Sequence, residues 1–438
     1  MIPLYSRLMT PSEYGVMSIF TSLTDILSII FGLGIRGAIL RYYFEGKNDF
    51  ISFFRSNLLL IAAFGGMASI LLISFSTKIS YLIEIPRGIL VIALITAIPN
   101  SIFESGLSYF VAKRNSETVS FLNVLKVSIF SGLGLLLIFY LNNEKYYAHA
   151  FGLLAASFVV LFYLLHKVDF SLKFKFEKSH YRYSLLFGIP VVVHLLSQNI
   201  LNTFDQLIIN QLIGSYHAGL YAIGYKVGFI LSIVSMATLK AWSPVFIEKM
   251  NREQYDEINL LARKYSMIIM LVAIVLVTFS SEILLLIAGP SFKGSDSLIP
   301  IIIISYYFLF LYTLYVNYSF YFKKTILISL ITVSVGILNI ILNYVLIPVF
   351  GFEAAAWTTL FCYFMLFILH FISVKTIFSS KCQSISLRYL MLPTLFLIIS
   401  AIALYLFKLI NLNWHLFLII KLIFSFFIIL FFRKRIKI

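Results

Sequence analysis

Eight ionisable residues lie inside long apolar runs of this 438-residue sequence. A charge is costly to bury in such a run, and in membrane proteins these residues usually face a bundle interior or a water-filled cavity. The planar guanidinium of arginine can bind an anion through two hydrogen bonds, and lysine can bind one as a mobile point charge. The acidic residues can bind a proton or Na⁺. The eight candidates are Asp25, Arg36, Glu104, Lys126, His194, Asp205, Lys226 and Lys421.

One apolar run also carries a row of polar residues at helical spacing. Gln198, Asn202 and Asp205 are three to four residues apart, which places them on one face of a helix. Such a stripe predicts a water-lined surface whose amides bind hydroxyl groups and whose carboxylate binds a coupling ion. The alternative is that the stripe forms hydrogen bonds between helices and holds the bundle together.

Thirteen apolar runs of the sequence must provide the structural elements that position these residues. The chain is 61% apolar and only 12% charged, with a mean hydropathy of +0.98, whereas soluble domains carry about 25% charged residues. This composition excludes an ordinary soluble domain. Lipid offers the backbone no hydrogen-bond partner, so each run is predicted to be a helix. The runs are 14–40, 56–76, 85–111, 119–141, 147–165, 184–210, 218–240, 264–288, 297–321, 325–347, 352–374, 386–408 and 414–432.

Lysine and arginine between the runs fall mainly in alternate loops. Of the 34 lysines and arginines, twenty-four lie in one set of loops and six in the other. The net charge of the chain is +16. The positive-inside rule makes the richer set cytoplasmic and places the C-terminus there. We therefore attribute the positive charge to topology and not to nucleic-acid binding. Cys362 and Cys382 show neither metal-ligand spacing nor a disulfide framework, and no cofactor is indicated.

The sequence contains an internal duplication. Residues 8–19 align with residues 212–223 at an offset of 204, which sets Gly15 opposite Gly219. Two copies of a six-helix unit in one orientation explain the offset, because an even number of helices preserves direction. Pairs of basic residues recur at a similar offset of 210, at positions 113–114 and 323–324.

The duplication predicts a first helix of which only the end is present. Subtracting 204 from the run 184–210 places its counterpart at about −20 to 6, so we expect the sequence to start inside that helix and the intact protein to have fourteen. The predicted domains are an N-terminal bundle over 1–165, a cytoplasmic linker over 166–183, a C-terminal bundle over 184–374 and two further helices over 375–438.

Three segments resemble the motifs of a known family. Residues 338–358 read LNIILNYVLIPVFGFEAAAWT, and residues 7–15 read RLMTPSEYG. Residues 204–209 with 219–221 carry an aspartate, an isoleucine pair and a Gly-Leu-Tyr group. All three are similar to stretches of the Wzx-type polysaccharide flippases of the multidrug/oligosaccharidyl-lipid/polysaccharide exporter superfamily. One departure is Glu353-Ala354, where the family usually has a small residue followed by glycine.

The resemblance implies an all-α integral membrane fold of the MATE type: two six-helix bundles around a central cavity, two C-terminal helices and alternating access. It implies a non-enzymatic flippase of the bacterial cytoplasmic membrane that moves undecaprenyl-diphosphate-linked oligosaccharide units to the outer leaflet for polysaccharide biosynthesis. A multidrug or cation antiporter of the same fold remains an alternative. A polymerase or other membrane enzyme is less favoured, because the outer loops are short and DxD, HExxH, GxSxG and Walker A motifs are absent.

For such a substrate, the basic residues near the predicted cytoplasmic ends are candidates to bind the diphosphate. Arginines there can instead extend to the interface and serve only topology. The acidic residues are candidates to couple transport to H⁺ or Na⁺, and no metal or nucleic acid is expected as a partner besides the lipid-linked substrate and membrane lipid. The predicted substrate set is Arg36, Arg41, Lys126, Lys226, Gln198 and Asn202, and the predicted coupling set is Asp205, Asp25 and Glu104.

Overall fold

The computed structural model describes residues 2–46, 49–168, 177–379, 382–409 and 414–436, and within them it contains helices and no strand. The helices are α1 (Ile2–Leu8), α2 (Pro11–Phe31), α3 (Ile35–Phe44), α4 (Phe50–Ser74), α5 (Ser76–Ile83), α6 (Arg87–Ala112), α7 (Ser116–Tyr140), α8 (Tyr146–Lys167), α9 (Lys178–Ile213), α10 (Ser215–Gly228), α11 (Ile230–Asn251), α12 (Tyr255–Thr278), α13 (Ser280–Ile287), α14 (Leu298–Tyr321), α15 (Thr325–Phe350), α16 (Glu353–Ile377), α17 (Leu387–Leu409) and α18 (Trp414–Ile436).

The predicted all-α membrane fold is confirmed. Each of the thirteen apolar runs lies on helix, and eleven helical segments in the described part of the chain are long and apolar enough to span a membrane. Four runs contain breaks that the hydropathy did not predict: α2 and α3 separate at 32–34, α4 and α5 at Phe75, α10 and α11 at Phe229, and α12 and α13 at Phe279. The protein is therefore a multi-pass membrane protein.

Packing divides the chain into two units, residues 3–219 and 220–438. In the first, α2 packs on α6, α8 and α9, and α7 packs on α8. In the second, α14 packs on α16 and α12, and α12 also packs on α17 and α18. Helix α9, which the duplication assigns to the second bundle, packs against α2, α3 and α4 of the first unit. The predicted domain limits stay predictions.

Aromatic rings fix the relative positions of α3, α4 and α6 in the first unit. Tyr42 of α3 stacks on Phe53 of α4 with ring centroids 3.7 Å apart, and Tyr109 of α6 stacks on Phe54 at 4.4 Å and on Phe50 at 5.4 Å. These pairs add attraction to the burial of their apolar surface. The candidate residues on α3 and α6 are thus carried by a rigid scaffold.

Two glycine pairs let backbones meet inside the first unit. Gly34 has φ +66° at the start of α3, and a Cβ there would lie 2.7 Å from the Cα of Gly188 in α9. A Cβ on Gly188 would overlap the carbonyl oxygen of Leu33. Gly15 and Gly219, the pair aligned by the duplication, also meet without room for a Cβ on either. Small residues at such crossings are typical of membrane helices.

The segment 338–358, which carries much of the family resemblance, forms buried hydrogen bonds in the second unit. The Thr358 hydroxyl donates to Asn343 Oδ1 at 2.5 Å, and Asn343 Nδ2 lies 3.3 Å from Asn339 Oδ1. All three residues are buried, so the motif asparagines join α15 to α16. Lys421 of α18 similarly forms an ion pair with Glu282 of α13 at 2.9 Å, which gives this charge a structural role.

The Gly34–Gly188 crossing predicts a selective loss of stability. We expect Gly188→Ala to lower the free energy of unfolding by about 1–3 kcal/mol, because the methyl group forces the backbones apart. Thermal unfolding of the purified protein in detergent measures this. Gly66→Ala in α4 is the control, since its Cβ meets nothing within 4 Å and alanine favours the helix. Equal melting temperatures for the two variants would contradict the prediction.

Candidate functional site

Four residues predicted to be functional come together in the first unit. We call them, with Asn100, the polar cluster. The helices α2, α3, α6 and α7 supply them, and their separation along the chain shows that only the folded protein brings them together. The members are Asp25 of α2, Arg36 of α3, Asn100 and Glu104 of α6, and Lys126 of α7.

Lys126 is held from two sides by α6. Its Nζ donates a hydrogen bond to Asn100 Oδ1 and lies 4.3 Å from the centre of the Phe103 ring. Asn100 Nδ2 in turn donates to Ser28 Oγ of α2 at 3.3 Å. A cation over an aromatic face is attracted by the ring quadrupole. The lysine charge is therefore anchored by a chain of polar contacts that runs from α7 through α6 to α2.

Arg36 and Glu104 form the accessible part of the polar cluster. The Arg36 Nη1 atom lies 3.1 Å from Glu104 Oε2, with the two side chains 65% and 41% exposed. Glu104 follows Asn100 by one helical turn, which places both on the same face of α6. Asp25 is exposed and interacts electrostatically with Lys126 and Glu104.

The charges of the polar cluster balance, with two cations and two carboxylates. An anion that binds Arg36 competes with Glu104 for the guanidinium, whose planar fork offers five N–H donors to phosphate or carboxylate oxygens. The arrangement is suited to exchanging one anion for another, since an incoming phosphate can take the place of the Glu104 carboxylate.

Two further basic members of the predicted substrate set, Arg41 and Lys226, have other surroundings in their own units. Arg41 of α3 pairs with Glu45 at 2.9 Å, and its guanidinium lies 5.3 Å from the Phe187 ring centre. It borders a depression of about 210 Å³ with Tyr183 and Phe187. Lys226 is half-buried on α10 and belongs to the second unit. Of the basic candidates in the first unit, the structure therefore places Arg36 and Lys126 in the polar cluster and Arg41 outside it.

The predicted polar stripe of α9 is described only at its end. Asp205 is fully buried in the first unit, and the neighbouring Gln206 accepts a hydrogen bond from the Ser18 hydroxyl of α2. The side chains of His194, Gln198 and Asn202 lie outside the described residues. The burial of Asp205 agrees with the alternative that this part of α9 contacts other helices, and the water-lined stripe stays a prediction.

Two contributors to the polar cluster were missed by sequence reasoning. Asn100 and Phe103 were not proposed, because amides and aromatic rings are common in membrane helices. The spacing of Asn100 and Glu104 on α6, four residues apart within an apolar run, was the available signal. The two residues show how uncharged neighbours fix the position of a half-buried charge.

The family and its relatives agree with the motifs. The family described as "Polysaccharide biosynthesis protein" matches residues 4–297, which is more than half of the chain. The Haemophilus influenzae protein "Lsg locus putative protein 1" is 25% identical over 343 residues, covering 75% of this chain and 82% of that protein. An "Uncharacterized membrane protein" of the same organism is 22% identical over 76% of this chain and 82% of its own length.

Two solved structures share the fold. "Lipid II flippase MurJ, inward closed conformation" has a TM-score of 0.72 at 15% identity and covers 100% of this chain and 96% of its own. An inward-facing multidrug resistance MATE family transporter of the MOP superfamily has a TM-score of 0.68 at 13% identity, covering 86% and 93%. These likenesses establish a MATE-like membrane fold. Together with the family match, they confirm the resemblance read from the motifs: the chain belongs to the polysaccharide biosynthesis protein family.

Proposed function

We propose that the protein is a flippase that moves undecaprenyl-diphosphate-linked oligosaccharide units from the inner to the outer leaflet of the bacterial cytoplasmic membrane by alternating access. The family match and the MurJ-like and MATE-like fold support this assignment. The observation that carries it is the polar cluster, which holds an exposed arginine and an anchored lysine within apolar helices. Two cations in that setting suit a diphosphate headgroup.

The polar cluster also suggests how substrate binding is coupled to an ion. The diphosphate binds Arg36 and displaces Glu104 from the guanidinium. A carboxylate left without its partner in an apolar span is unfavourable. Glu104, with the nearby Asp25, therefore takes up H⁺ or Na⁺ when the substrate binds and releases it when the arginine returns. The substrate's lipid tail stays in the bilayer.

A multidrug or cation antiporter is the second candidate. Its support is the likeness to a MATE family transporter and the presence of two carboxylates, Asp25 and Glu104, in the polar cluster. In that mechanism the carboxylates bind the cationic cargo and the basic residues are dispensable. Removal of Arg36 or Lys126 therefore distinguishes the two functions, because it should impair a flippase and leave an antiporter active.

Deletion of the gene in its host tests the proposal directly. We expect complete single repeat units to accumulate on their lipid carrier at the inner face, and reintroduction of the gene to relieve this. Selective labelling of each membrane face scores their location. Unpolymerised units at the outer face would indicate a polymerase. Unchanged lipid-linked units with altered sensitivity to drugs or cations would indicate an antiporter.

Removal of either cation should strongly slow flipping without preventing membrane insertion. We expect Arg36→Ala and Lys126→Ala to reduce the flipping rate at least about 10-fold, since a charge-assisted hydrogen bond is worth about 1.5–3 kcal/mol. Translocation of labelled lipid-linked units in deletion-strain membranes measures the rate. Arg252→Ala is the matched control, because Arg252 pairs with Glu248 at 3.1 Å with similar exposure. Full flipping by both cluster variants, with protein levels unchanged, would refute their role.

The coupling model makes Asp25 a coupling group, and one assay tests both Asp25 and Asp205. Asp25→Asn keeps the side-chain shape but removes the charge near Lys126 and Glu104, so we expect flipping that no longer responds to a H⁺ or Na⁺ gradient. Reconstituted vesicles with and without each gradient provide the measurement. Asp205→Asn tests the predicted stripe of α9 in the same assay. A variant that retains its gradient response shows that its aspartate is not the coupling group.

A further inference from the structure

Outside the polar cluster, two carboxylates lie close to one histidine nitrogen in the first unit. His180 Nε2 lies 2.6 Å from Asp49 Oδ2 and 3.1 Å from Glu177 Oε2. One ligand atom from each residue lies within 4.8 Å of the others. The histidine is 2% exposed, whereas the two carboxylate side chains are 44% and 38% exposed. The imidazole is therefore fixed at the base of a site whose carboxylates face outward.

A second layer of contacts orients these groups. The Tyr42 hydroxyl donates to Asp49 Oδ1 at 2.6 Å, and His180 Nδ1 lies 3.4 Å from Ser56 Oγ. When Nδ1 carries the proton and faces Ser56, Nε2 presents its lone pair to the carboxylates. Outer contacts of this kind are typical of metal-binding histidines and carboxylates.

Aromatic rings enclose the imidazole on several sides. Tyr42 and Phe53 meet it edge-on at 6.1 Å and 5.4 Å between ring centres. The ring is thereby held in one orientation. The hydrogen bond from Tyr42 holds the pKa of the Asp49 carboxyl below its ordinary value, so this carboxylate is ionised at neutral pH.

We propose that Asp49, Glu177 and His180 form a binding site for a divalent transition-metal ion, with Zn²⁺ as the best-fitting probe. A neutral imidazole and two carboxylates cancel the charge of the ion and supply three ligands, and water completes a tetrahedron. Zinc bonds of about 2.0–2.2 Å separate neighbouring ligand atoms by roughly 3.3 Å, so small side-chain rotations suffice. The imidazole favours zinc over Mg²⁺ or Ca²⁺, which prefer oxygen ligands.

The ion would join segments that are distant in sequence. Glu177 and His180 belong to the start of α9, and Asp49 belongs to the turn between α3 and α4. The α9 contacts with α3 and α4 bring these segments together. Metal binding at this point stabilises the attachment of α9 to the first unit, and in metal-free protein the His180 ion pairs join the same segments.

Metal titration of the full-length protein in detergent tests the site. After removal of metals with a chelator, isothermal titration with ZnCl₂ should show one site whose affinity falls at least 10-fold in Asp49→Asn and in His180→Gln. Zn²⁺ should raise the melting temperature of the parent protein and not of these variants. Mg²⁺ at millimolar concentration should neither bind nor compete. No transport activity is needed, so the result is independent of the proposed function.

His217→Ala is the matched control, because His217 is a partly buried histidine outside the three-residue site, with its Nδ1 in contact with the Ile213 carbonyl oxygen. It should bind Zn²⁺ like the parent protein. Asp49→Asn preserves the size of the side chain, so it keeps the test valid even if His180→Gln fails to fold. Equal zinc affinity in the parent, Asp49→Asn and His180→Gln proteins, or no zinc-dependent rise in melting temperature, would overturn the proposal.

Discussion

A charged side chain inside an apolar helix needs a partner within the protein, and this constraint shapes the first unit. The partners of Lys126 are Asn100 and the Phe103 ring, and the partner of Arg36 is Glu104. All of these partners lie on α6. Helix α6 is in turn held by the stacked rings of Phe50, Phe54 and Tyr109 and by its contacts with α2, α4 and α8. The apolar packing therefore decides where the charges can be.

The helices were predictable and their partners were not. Long apolar runs predict helices because a lipid environment leaves the backbone no other way to satisfy its hydrogen bonds, and all thirteen runs lie on helix. Which residues meet depends on helix rotation and packing. Arg36 and Glu104 are 68 residues apart, and nothing in either local sequence indicates the other. The same reason explains why the meeting of Asp49 with His180 was not foreseen.

Helix breaks were also hard to predict, because hydropathy is continuous across them. The run 14–40 reads as one span, but Gly34 adopts a left-handed conformation and separates α2 from α3. This break turns α3 so that its glycine meets Gly188 of α9. The sequence duplication assigned α9 to the second bundle, and duplication records ancestry and not packing. Contact between backbones at glycine pairs explains how α9 can pack closely on the first unit.

Charge balance in the polar cluster limits the mechanisms that the fold can support. The charges of two cations and two carboxylates cancel, so the site without substrate has no net positive charge that would bind anions tightly. A diphosphate that binds there makes the site negative unless a carboxylate is neutralised. In the proposed mechanism, proton or sodium uptake by both Glu104 and Asp25 restores the balance, and release of the ions then favours release of the substrate. Under the proposed function, the same pairing that stabilises charges inside the helices would connect substrate exchange to ion exchange.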